Sequence, residues 1–371
     1  MIKRISLKNF RNLYLEGIDL SPQSNVIIAP NGSGKTNFIE SIYFLALGKS
    51  FKPMENITQM IGPKDVFFKT EIITTDSDAY ESVVSNENER ISRKLTLNSK
   101  RIPVSKVLDR FPILLFAPNS VDLVANEPGL RRDDLDNYLS MINEEYRGQV
   151  ESYSKVLKNR NVLIKTIREG RSSREELIFW TNKLAKLADS IYKTRVQFFK
   201  EINEFLDDTV KDMRVLDGES KITSLYVEYK PNLESSAEDF QEQLLQKYSD
   251  NLEKEIIVGK TLYGTHKDDF AILMNGENLR FFGSRGQQRL GVLLFKLSQS
   301  NHYFSLKSEK PIFLVDDLMS ELDDFNRIVA ADLVLESGNQ FILTSADEGE
   351  VPEKLRGVSN LIELKKPNTL V

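Results

Sequence analysis

The chain has 371 residues, of which 40% are hydrophobic, and its 50 basic and 55 acidic side chains leave a net charge of −5. This length can bury a large core divided over two domains, and the absence of cysteine excludes a disulfide framework and thiol chemistry. No apolar run approaches the roughly 18 residues of a membrane helix, and the basic N-terminus lacks the apolar run of a signal peptide, so we expect a cytoplasmic protein without a membrane partner.

The first predicted elements lead into a phosphate-binding loop. Alternating apolar and polar residues predict a hairpin over residues 1–20, and residues 26–28 form a predicted buried strand. The loop, residues 29–36, opens a helix that we expect to end near residue 47. Gly32 and Gly34 let successive backbone N–H groups converge on phosphate oxygens. The alternative is a glycine-rich turn without a ligand, which the preceding strand and the apolar helix disfavour.

The side chains of this loop have predicted roles in holding ATP and Mg²⁺. Lys35 is expected to reach the terminal phosphates and to take part in catalysis, and the Thr36 hydroxyl is expected to ligate Mg²⁺. Ala29 replaces the first glycine of the usual pattern, which is tolerable where no positive φ is needed. The predicted nucleotide contacts of the loop and its helix are Asn31, Gly32, Ser33, Gly34, Lys35, Thr36 and Asn37.

Antiparallel strands and then a helical arm are predicted next. Residues 67–73, 80–84 and 91–97 carry the strand pattern, and we expect them to form a lobe laid over the nucleotide. From residue 132 the apolar spacing becomes helical, and a break at 170–172 separates two helices that we expect to pack antiparallel. The second helix has seven-residue steps of apolar residues: Leu177, Leu184, Ile191, Phe198 and Phe205.

A basic cluster lies on the first of these two helices. The net charge alone does not predict nucleic-acid binding, because affinity for DNA comes from phosphate neutralisation. Between residues 147 and 170, however, six basic residues stand against two acids. A solvated helix face is the commoner explanation of such a cluster. The basic residues are Arg147, Lys155, Lys158, Arg160, Lys165 and Arg168, of which Lys155, Lys158 and Lys165 are the candidate DNA contacts.

Two further motifs follow near the C-terminal end. Residues 283–289, the signature run, precede an apolar helix, where a serine and a glycine at a helix start suit a γ-phosphate. The candidate contacts of this run are Ser284, Gly286 and Gln287. The apolar strand 312–315 ends in Asp316, expected to hold the Mg²⁺ shell, and Asp317, expected to polarise the attacking water. Glu321 is the alternative residue for positioning that water.

Two histidines complete the candidate list. His266 lies in a run with two aspartates, but no second histidine is near, so a turn stabilised by side-chain hydrogen bonds is favoured over a zinc site. His302 has no such companions and is assigned no role. After the last predicted strand, residues 341–345, no histidine follows to sense the γ-phosphate, and we expect Thr344 to take that part.

The order of these motifs resembles the ATP-binding-cassette (ABC) class, and in particular its RecF branch of recombination-mediator proteins. The resemblance covers nearly the whole chain, and its matching segments are 7–12, 29–37 with Glu40, 48–52, 116–118, Pro128 with 131–132 and 135–136, 264–269, 283–289, 316–317 and 320–323. It implies an α/β fold: an ABC-type P-loop ATPase head with an antiparallel β lobe, from residues 1–125 and 261–371, and an α-helical arm domain, 126–260.

The same resemblance implies the function. We expect an ATP-dependent DNA-binding protein of recombinational repair and replication that acts at gapped DNA or single-strand/duplex junctions. ATP and Mg²⁺ are its implied cofactors, an ATP-dependent homodimer its implied assembly, and RecO and RecR its implied protein partners. In that dimer the signature run of one chain completes the loop of the other. The implied hydrolysis is slow and DNA-linked, since Asp317 stands where a glutamate is usual.

Two departures from the family pattern, Asn119 and Ser120, and three other functions stay open. Asn119 and Ser120 replace the two acids that the family usually has after Phe-x-Pro, which puts in doubt the link from nucleotide to arm. A transporter ATPase is disfavoured by the missing sensor histidine and by the helical insert. A defence-associated nucleotide-switch ATPase is disfavoured by the matches at Arg131, Arg132, Leu135 and Asp136. A scaffold that binds nucleotide only for stability is the last alternative.

Overall fold

The computed structural model describes residues 1–87, 90–125, 128–216, 222–234, 236 and 238–364, without the side chains of residues 215, 216 and 321. Two compact units result: Met1–Val121, Lys211–Ser220 and Ser284–Val371 form the first, and Asp122–Val210 and Lys221–Gly283 form the second. The domain bounds drawn from sequence stay a prediction, and residues 261–283 group with the second unit. No helix of the described ranges is long and apolar enough to cross a membrane.

The first unit begins with a meander and the phosphate loop. Its elements are β1 (Ile2–Phe10), β2 (Leu13–Asp19), β3 (Ser24–Ile28), α1 (Lys35–Leu47), a 3-10 turn (Ile57–Met60), β4 (Phe67–Thr74), β5 (Ala79–Glu87), β6 (Arg90–Leu97), β7 (Lys100–Arg101), α2 (Val104–Leu108), β8 (Ile113–Phe116) and a 3-10 turn (Pro118–Val121). The second unit follows with α3 (Asp122–Ala125), α4 (Pro128–Ile142), α5 (Glu144–Arg168), α6 (Glu175–Leu216), β9 (Leu225–Lys230), α7 (Phe240–Asp250), α8 (Leu252–Val258), a 3-10 turn (Thr265–Lys267), β10 (Asp269–Met274), β11 (Glu277–Asn278) and α9 (Leu279–Phe282). The last residues of α6, from Lys211, group with the first unit.

The chain then returns to the first unit. The last elements are α10 (Arg285–Lys307), β12 (Ile312–Asp316), a 3-10 turn (Met319–Glu321), α11 (Asp324–Glu336), β13 (Phe341–Ser345), a 3-10 turn (Glu348–Glu350), α12 (Glu353–Val358) and β14 (Asn360–Glu363). The predicted strands and the loop helix are therefore confirmed, although α10 begins within the signature run rather than after it.

Two sheets form the first unit. The antiparallel sheet has the order β2-β1-β4-β5-β6-β7, and its alternating strands place one face in the core. The parallel strands of the second sheet have the order β14-β3-β13-β12-β8. Strands β12 and β13 are buried along their whole length, and each begins with a continuous apolar run, residues 312–315 and 341–343. Helix α1 packs on β12 and β13, and α10 packs on β8.

In the second unit α5 and α6 run antiparallel, as predicted. Arg195 Nε donates to Tyr146 Oη at 3.1 Å, and Arg160 Nε donates to Thr181 Oγ1 at 3.1 Å. Moving forward on α5 from residue 146 to 160 thus moves backward on α6 from 195 to 181. The heptad residues Leu177, Leu184, Ile191 and Phe198 are buried, whereas Phe205 is half-buried. Residues 210–260, for which no element was predicted, contain β9, α7 and α8.

Buried charges hold the second unit together. Arg195 binds the Thr265 carbonyl and the carboxylates of Asp136 and Asp268, with donor–acceptor distances of 2.7 to 2.8 Å. Arg160 and Glu255 form a fully buried pair at 2.7 Å, and Arg160 also donates to Thr261 Oγ1. Because an unpaired buried charge is costly, these contacts fix how the helices meet.

His266 is a structural side chain of the same unit. Its Nδ1 lies 2.7 Å from Tyr153 Oη, which fits the predicted hydrogen-bonded turn. Burial lowers the pKa of His266 to about 4, so the imidazole is neutral at pH 7. In the described part of the chain no group of three or more His, Cys, Asp or Glu side chains could hold a metal ion.

Candidate functional site

The carboxyl edge of the parallel sheet gathers the predicted nucleotide residues. Ile28 at the end of β3 pairs with Ser345 at the end of β13, and Asp316 at the end of β12 pairs with Thr344. In open parallel sheets ligands bind beyond this edge. The phosphate loop, Asp316 and Asp317 therefore meet at one place, although their segments lie almost 300 residues apart.

The loop has the backbone that phosphate binding needs. Gly32 and Gly34 have φ of 80° and 102°, in the left-handed region that glycine favours. A Cβ added at Gly34 would lie 2.5 Å from Leu13 Cδ2 and 2.9 Å from Asn12 Oδ1. Both conformation and space thus require glycine at residue 34, where α1 begins and its free N–H groups point outward.

Lys35 lies folded against its own loop. Its Nζ donates to the Ala29 carbonyl at 2.5 Å and to Asn31 Oδ1 at 3.4 Å. Burial lowers the pKa of Lys35, while the nearby Asp317 and Asp316 act in the opposite direction. An ammonium group has three donors, so this one keeps a donor for a further acceptor. The buried Ser33 hydroxyl has no hydrogen-bond partner among the described residues, as expected where a ligand completes the loop.

Asp316 is placed as a metal-shell carboxylate should be. Its Oδ1 accepts from Thr344 Oγ1 at 2.6 Å, whereas its buried Oδ2 has no hydrogen-bond partner within the described ranges. Burial raises the pKa of Asp316, and the hydroxyls of Thr344 and Thr36 act the other way. Thr36 and Asp316, the two predicted Mg²⁺ ligands, are thus neighbours.

Asp317 is held in a strained backbone conformation. Its φ is 51°, which is uncommon for a residue with a side chain. Its N–H donates to Thr344 Oγ1 at 3.1 Å, and its Oδ2 accepts from Ser320 Oγ at 2.9 Å. Thr344 therefore joins the two aspartates, a contact that suits the sensor role predicted for it. The side chain of Glu321, the alternative water-positioning residue, lies outside the described part of the structure.

The signature run forms the start of α10. Ser284 and Gln287 make a reciprocal capping box, in which Ser284 N donates to Gln287 Oε1 at 2.8 Å and Gln287 N donates to Ser284 Oγ at 3.3 Å. Ser284 and Gln287 are exposed. A Cβ on Gly286 would come 4.0 Å from Asn326 Nδ2 on α11. The three predicted contacts thus stand at one helix N-terminus, where an anion is favoured.

Arg289 ties this helix to the acidic strand. The side chain is 1% exposed, and its NH1 donates to the carbonyls of Asp317 at 2.8 Å and Leu318 at 3.2 Å. The start of α10 and the backbone of Asp317 are thereby fixed to each other. Sequence reasoning gave Arg289 no role, because a main-chain acceptor leaves no trace in the sequence.

A cluster of charges beneath the loop was also missed. Glu40 is fully buried, and it accepts two hydrogen bonds from Arg11 at 2.7 Å and one from Ser50 at 2.6 Å. Burial alone raises the pKa of Glu40, but these bonds and the charge of Lys52 outweigh it and hold that pKa below its usual value. Lys52 Nζ lies 3.1 Å from Glu40 Oε2 and donates to Asn37 Oδ1 at 2.6 Å.

The charge of Lys52 also acts on the nucleotide site. Burial lowers its pKa, and the charges of Lys52 and Asp316 influence each other. Asn119, one of the two family departures, donates from Nδ2 to the Phe51 carbonyl at 3.1 Å and so supports this segment. The only sequence signal for Lys52 was the motif at residues 48–52, which resembles the family pattern but does not indicate what Lys52 contacts.

The residues present fit ATP and Mg²⁺. Phosphate has its N–H cradle and Lys35, and an adjacent hydroxyl and carboxylate, Thr36 and Asp316, offer oxygen ligands. Mg²⁺ usually takes one or two protein oxygens together with phosphates and waters, rather than a cage made by protein alone. ATP and Mg²⁺ would also supply partners for the Ser33 hydroxyl and Asp316 Oδ2, which have none among the residues that the structure describes.

The candidate DNA residues share one face of α5. Lys155, Lys158 and Lys165 are exposed, and their spacing of three and seven residues puts them on one side of the helix. Two other members of the basic cluster are buried and do not belong to this exposed face. Arg147 and Arg160 are 9% and 0% exposed, so neither can meet a phosphate backbone.

The five-stranded sheet with its phosphate loop, acidic strand end and signature helix defines an ABC-type P-loop ATPase. Residues 1–366 match the model of the RecF/RecN/SMC N-terminal domain. The DNA replication and repair protein RecF of Moorella thermoacetica is 31% identical over 365 residues, with 98% of this chain and 95% of that protein covered. The chain therefore belongs to the RecF family, as its motifs predicted.

Further comparisons agree. The DNA replication and repair protein RecF of Streptococcus agalactiae is 31% identical, covering 96% of this chain and 95% of its own. A solved RecF–ATP structure, described as a recombination mediator of the RecFOR pathway, is 26% identical with a TM-score of 0.81, covering 95% and 93%. An SMC head bound to part of ScpA shares the fold at a TM-score of 0.56 and 18% identity.

Proposed function

We propose that this chain is an ATP-switched DNA-binding protein of recombinational repair and replication. Two chains enclose two ATP molecules, each held by Lys35, Thr36 and Asp316 of one chain and by Ser284 and Gly286 of the other. The closed dimer binds gapped DNA or single-strand/duplex junctions, and slow hydrolysis reopens it. It acts with mediator proteins of the RecO and RecR type.

The observation that carries this proposal is the arrangement of the nucleotide residues. The loop and the acidic strand end meet at one sheet edge, whereas Ser284 and Gln287 present an exposed helix N-terminus. The loop and the strand end enclose a nucleotide on one side only. A second copy of the chain would complete the site with its exposed helix N-terminus, which favours an anion. Membership of a family named for DNA replication and repair supports the DNA part.

The residues divide the chemistry of hydrolysis among them. Bound Mg²⁺ supplies Lewis-acid charge on the phosphates. Lys35 and Lys52 offset negative charge, and Asp317 accepts a hydrogen bond from the attacking water. The aspartate is one methylene shorter than the usual glutamate, so the water is held less closely and turnover is slow. Slow turnover suits a switch.

One light-scattering experiment tests whether ATP controls dimerisation and DNA binding. The mass of the full chain is measured by light scattering with no nucleotide, with ADP, and with a non-hydrolysable ATP analogue plus Mg²⁺, each with and without gapped duplex DNA. We expect the mass to double and the DNA to be retained with the analogue alone. Dimerisation without any DNA binding would keep the ATPase switch and overturn the repair role.

Two variants separate nucleotide binding from dimer closure. Lys35→Met should abolish ATP binding and dimerisation together. Ser284→Arg should leave ATP binding intact and block the dimer, while Ser305→Arg, at the exposed far end of the same helix, should change neither. A dimer that forms with Ser284→Arg would show that the signature run does not face the partner's nucleotide.

The candidate DNA face has its own test. Reversing Lys155, Lys158 and Lys165 to Glu should weaken DNA binding and reduce the slope of log affinity against log salt by about 2 to 3. Reversal of three exposed lysines of the first unit, Lys3, Lys64 and Lys100, is the matched control. An unchanged slope in the α5 variant would exclude this face from the DNA surface.

A further inference from the structure

Exposed apolar side chains collect where α5, α6 and α8 of the second unit come together. Val162 on α5 is 54% exposed, Ile178 and Phe179 at the start of α6 are 59% and 61% exposed, and Ile257 and Val258 at the end of α8 are 73% and 42% exposed. We call these five residues the arm patch. Scattered single apolar residues are normal on a surface, but a local group of five is not.

Contacts join the three segments that carry the patch residues. Arg168 on α5 donates to the Ile257 carbonyl at 3.4 Å, and a Cβ at Gly259 would lie 3.6 Å from Lys165 Cγ. At the start of α6, Arg174 makes a two-point ion pair with Glu253 on α8, at 2.6 and 3.1 Å. Ile178 and Ile257 each follow a member of that pair by four residues, one helical turn.

The core of this unit does not need the arm patch. Leu177, the first heptad residue of α6, is 3% exposed, and the core row continues through Leu184 and Ile191. Ile178 and Phe179 follow Leu177 directly, and successive helical residues point about 100° apart, so both lie outside the buried row. A partner that covered these side chains would remove their apolar surface from water, which favours binding.

The border of the arm patch is mainly basic. The exposed cations there are Lys165, Arg168, Arg171, Arg174, Lys183, Lys254 and Lys260, against the acids Glu169, Glu175, Glu176 and Glu253. Glu253 is paired with Arg174 and Glu169 with Arg171, which leaves five of the seven cations and two of the four acids outside these pairs. An apolar centre with a cationic border, on a chain whose net charge is −5, selects an acidic partner.

We propose that the arm patch binds an acidic protein segment whose apolar side chains form one face, such as an amphipathic helix. Protein is favoured over single-stranded nucleic acid, because bases stack on aromatic rings and four of the five patch residues are aliphatic. Phe179, the aromatic member, already has Lys183 Nζ 5.8 Å from its ring centre and Trp180 edge-on at 5.2 Å. This site is separate from the nucleotide switch and does not depend on it.

Fluorescence anisotropy with the full-length chain tests the site. The main probe is a labelled 18-residue helical peptide of Glu with Leu and Phe along one face. A second peptide has Lys for Glu, a third has the same composition with its apolar residues spread around the helix, and a labelled dT20 oligonucleotide is the fourth probe. We expect only the first peptide to depend on the arm patch, and its affinity to fall as salt rises.

Substitutions complete the test. Ile257→Asp should weaken binding of the first peptide at least about tenfold, as loss of a central interface residue does, and Lys254→Glu should weaken it less. Val66→Asp, 54% exposed in the first unit, is the control and should have no effect. The proposal is overturned if the first peptide does not bind, if the third binds equally, or if Ile257→Asp impairs only dT20, which would assign the arm patch to nucleic acid.

Discussion

Glu40 organises the floor of the candidate nucleotide site although no sequence motif assigned it a role. It is fully buried and forms ion pairs with Arg11, 29 residues before it, and with Lys52, 12 residues after it. Lys52 thereby pairs with a buried carboxylate, and its charge also acts on the aspartate of the predicted metal shell. A side chain in that position both supports the fold and adds positive charge where ATP is proposed to bind.

The first prediction concerns Lys52. Lys52→Ala should reduce ATP affinity by about tenfold, since one charged phosphate contact is worth about 1.4 kcal/mol. Lys49→Ala, an exposed lysine three residues earlier, is the matched control. Titration of a fluorescent ATP analogue measures both. Equal affinities for the two variants would mean that Lys52 serves only to neutralise Glu40.

The second prediction concerns His266 and acid stability. Its folded pKa of about 4 lies below the ordinary value of 6.5, so the unfolded chain binds the proton more tightly. Stability should therefore fall as the pH drops from 6.5 to 4, by about 3 kcal/mol from this residue, and be unaffected above pH 7. His266→Gln should flatten that part of the curve in urea unfolding measured at several pH values. An equally steep fall in the variant would assign the acid sensitivity to other groups.

Some residues were predictable and others were not, for a physical reason. The phosphate loop was found because Gly32, Gly34 and Lys35 act through adjacent backbone, and adjacency is visible in a sequence. Arg160 was read as a surface base because the partner that buries it, Glu255, lies 95 residues away. Pairing at that distance depends on how helices meet, which no local pattern encodes.

Among the elements, regular periodicity decided what could be foreseen. The strand pattern predicted β4, β5 and β6, and the seven-residue steps predicted α6 as a helix. The break between α5 and α6 predicted that the two helices pack antiparallel. Helix α7 was overlooked, although Phe240, Leu244 and Tyr248 keep a spacing of four residues and are buried. Its acidic surface residues obscured that row.

The third prediction tests the contact between α5 and α8. Arg160→Met leaves Glu255 buried without its partner and should lower the free energy of unfolding by about 3 to 5 kcal/mol. The double variant Arg160→Met/Glu255→Leu removes both charges and should regain most of that loss. Urea unfolding followed by circular dichroism measures the three proteins. A loss below about 1 kcal/mol in the single variant would show that water reaches Glu255.

For the chain as a whole, the separation into two units predicts a local response to nucleotide. ATP at 100 times its dissociation constant should stabilise the unit that binds it by about 2.7 kcal/mol. Hydrogen exchange should therefore slow in β3, β12 and β13 of the first unit and change less in α7 and α8 of the second. Lys35→Met should remove the effect. Equal protection throughout both units would indicate that they unfold together.

The order of strands in the parallel sheet determines when this site can exist in a growing polypeptide. Strand β3 lies between β14 and β13, both of which come after residue 340, and Gln340 itself binds the backbone of Ile2. At about 5 to 20 residues per second, the ribosome needs roughly 15 to 60 seconds between β3 and its first neighbour. Nascent β3 must wait unpaired over that time, whereas the second unit, contained within residues 122–283, is complete before β13 is made. Chaperone dependence during translation should thus centre on the first 30 residues.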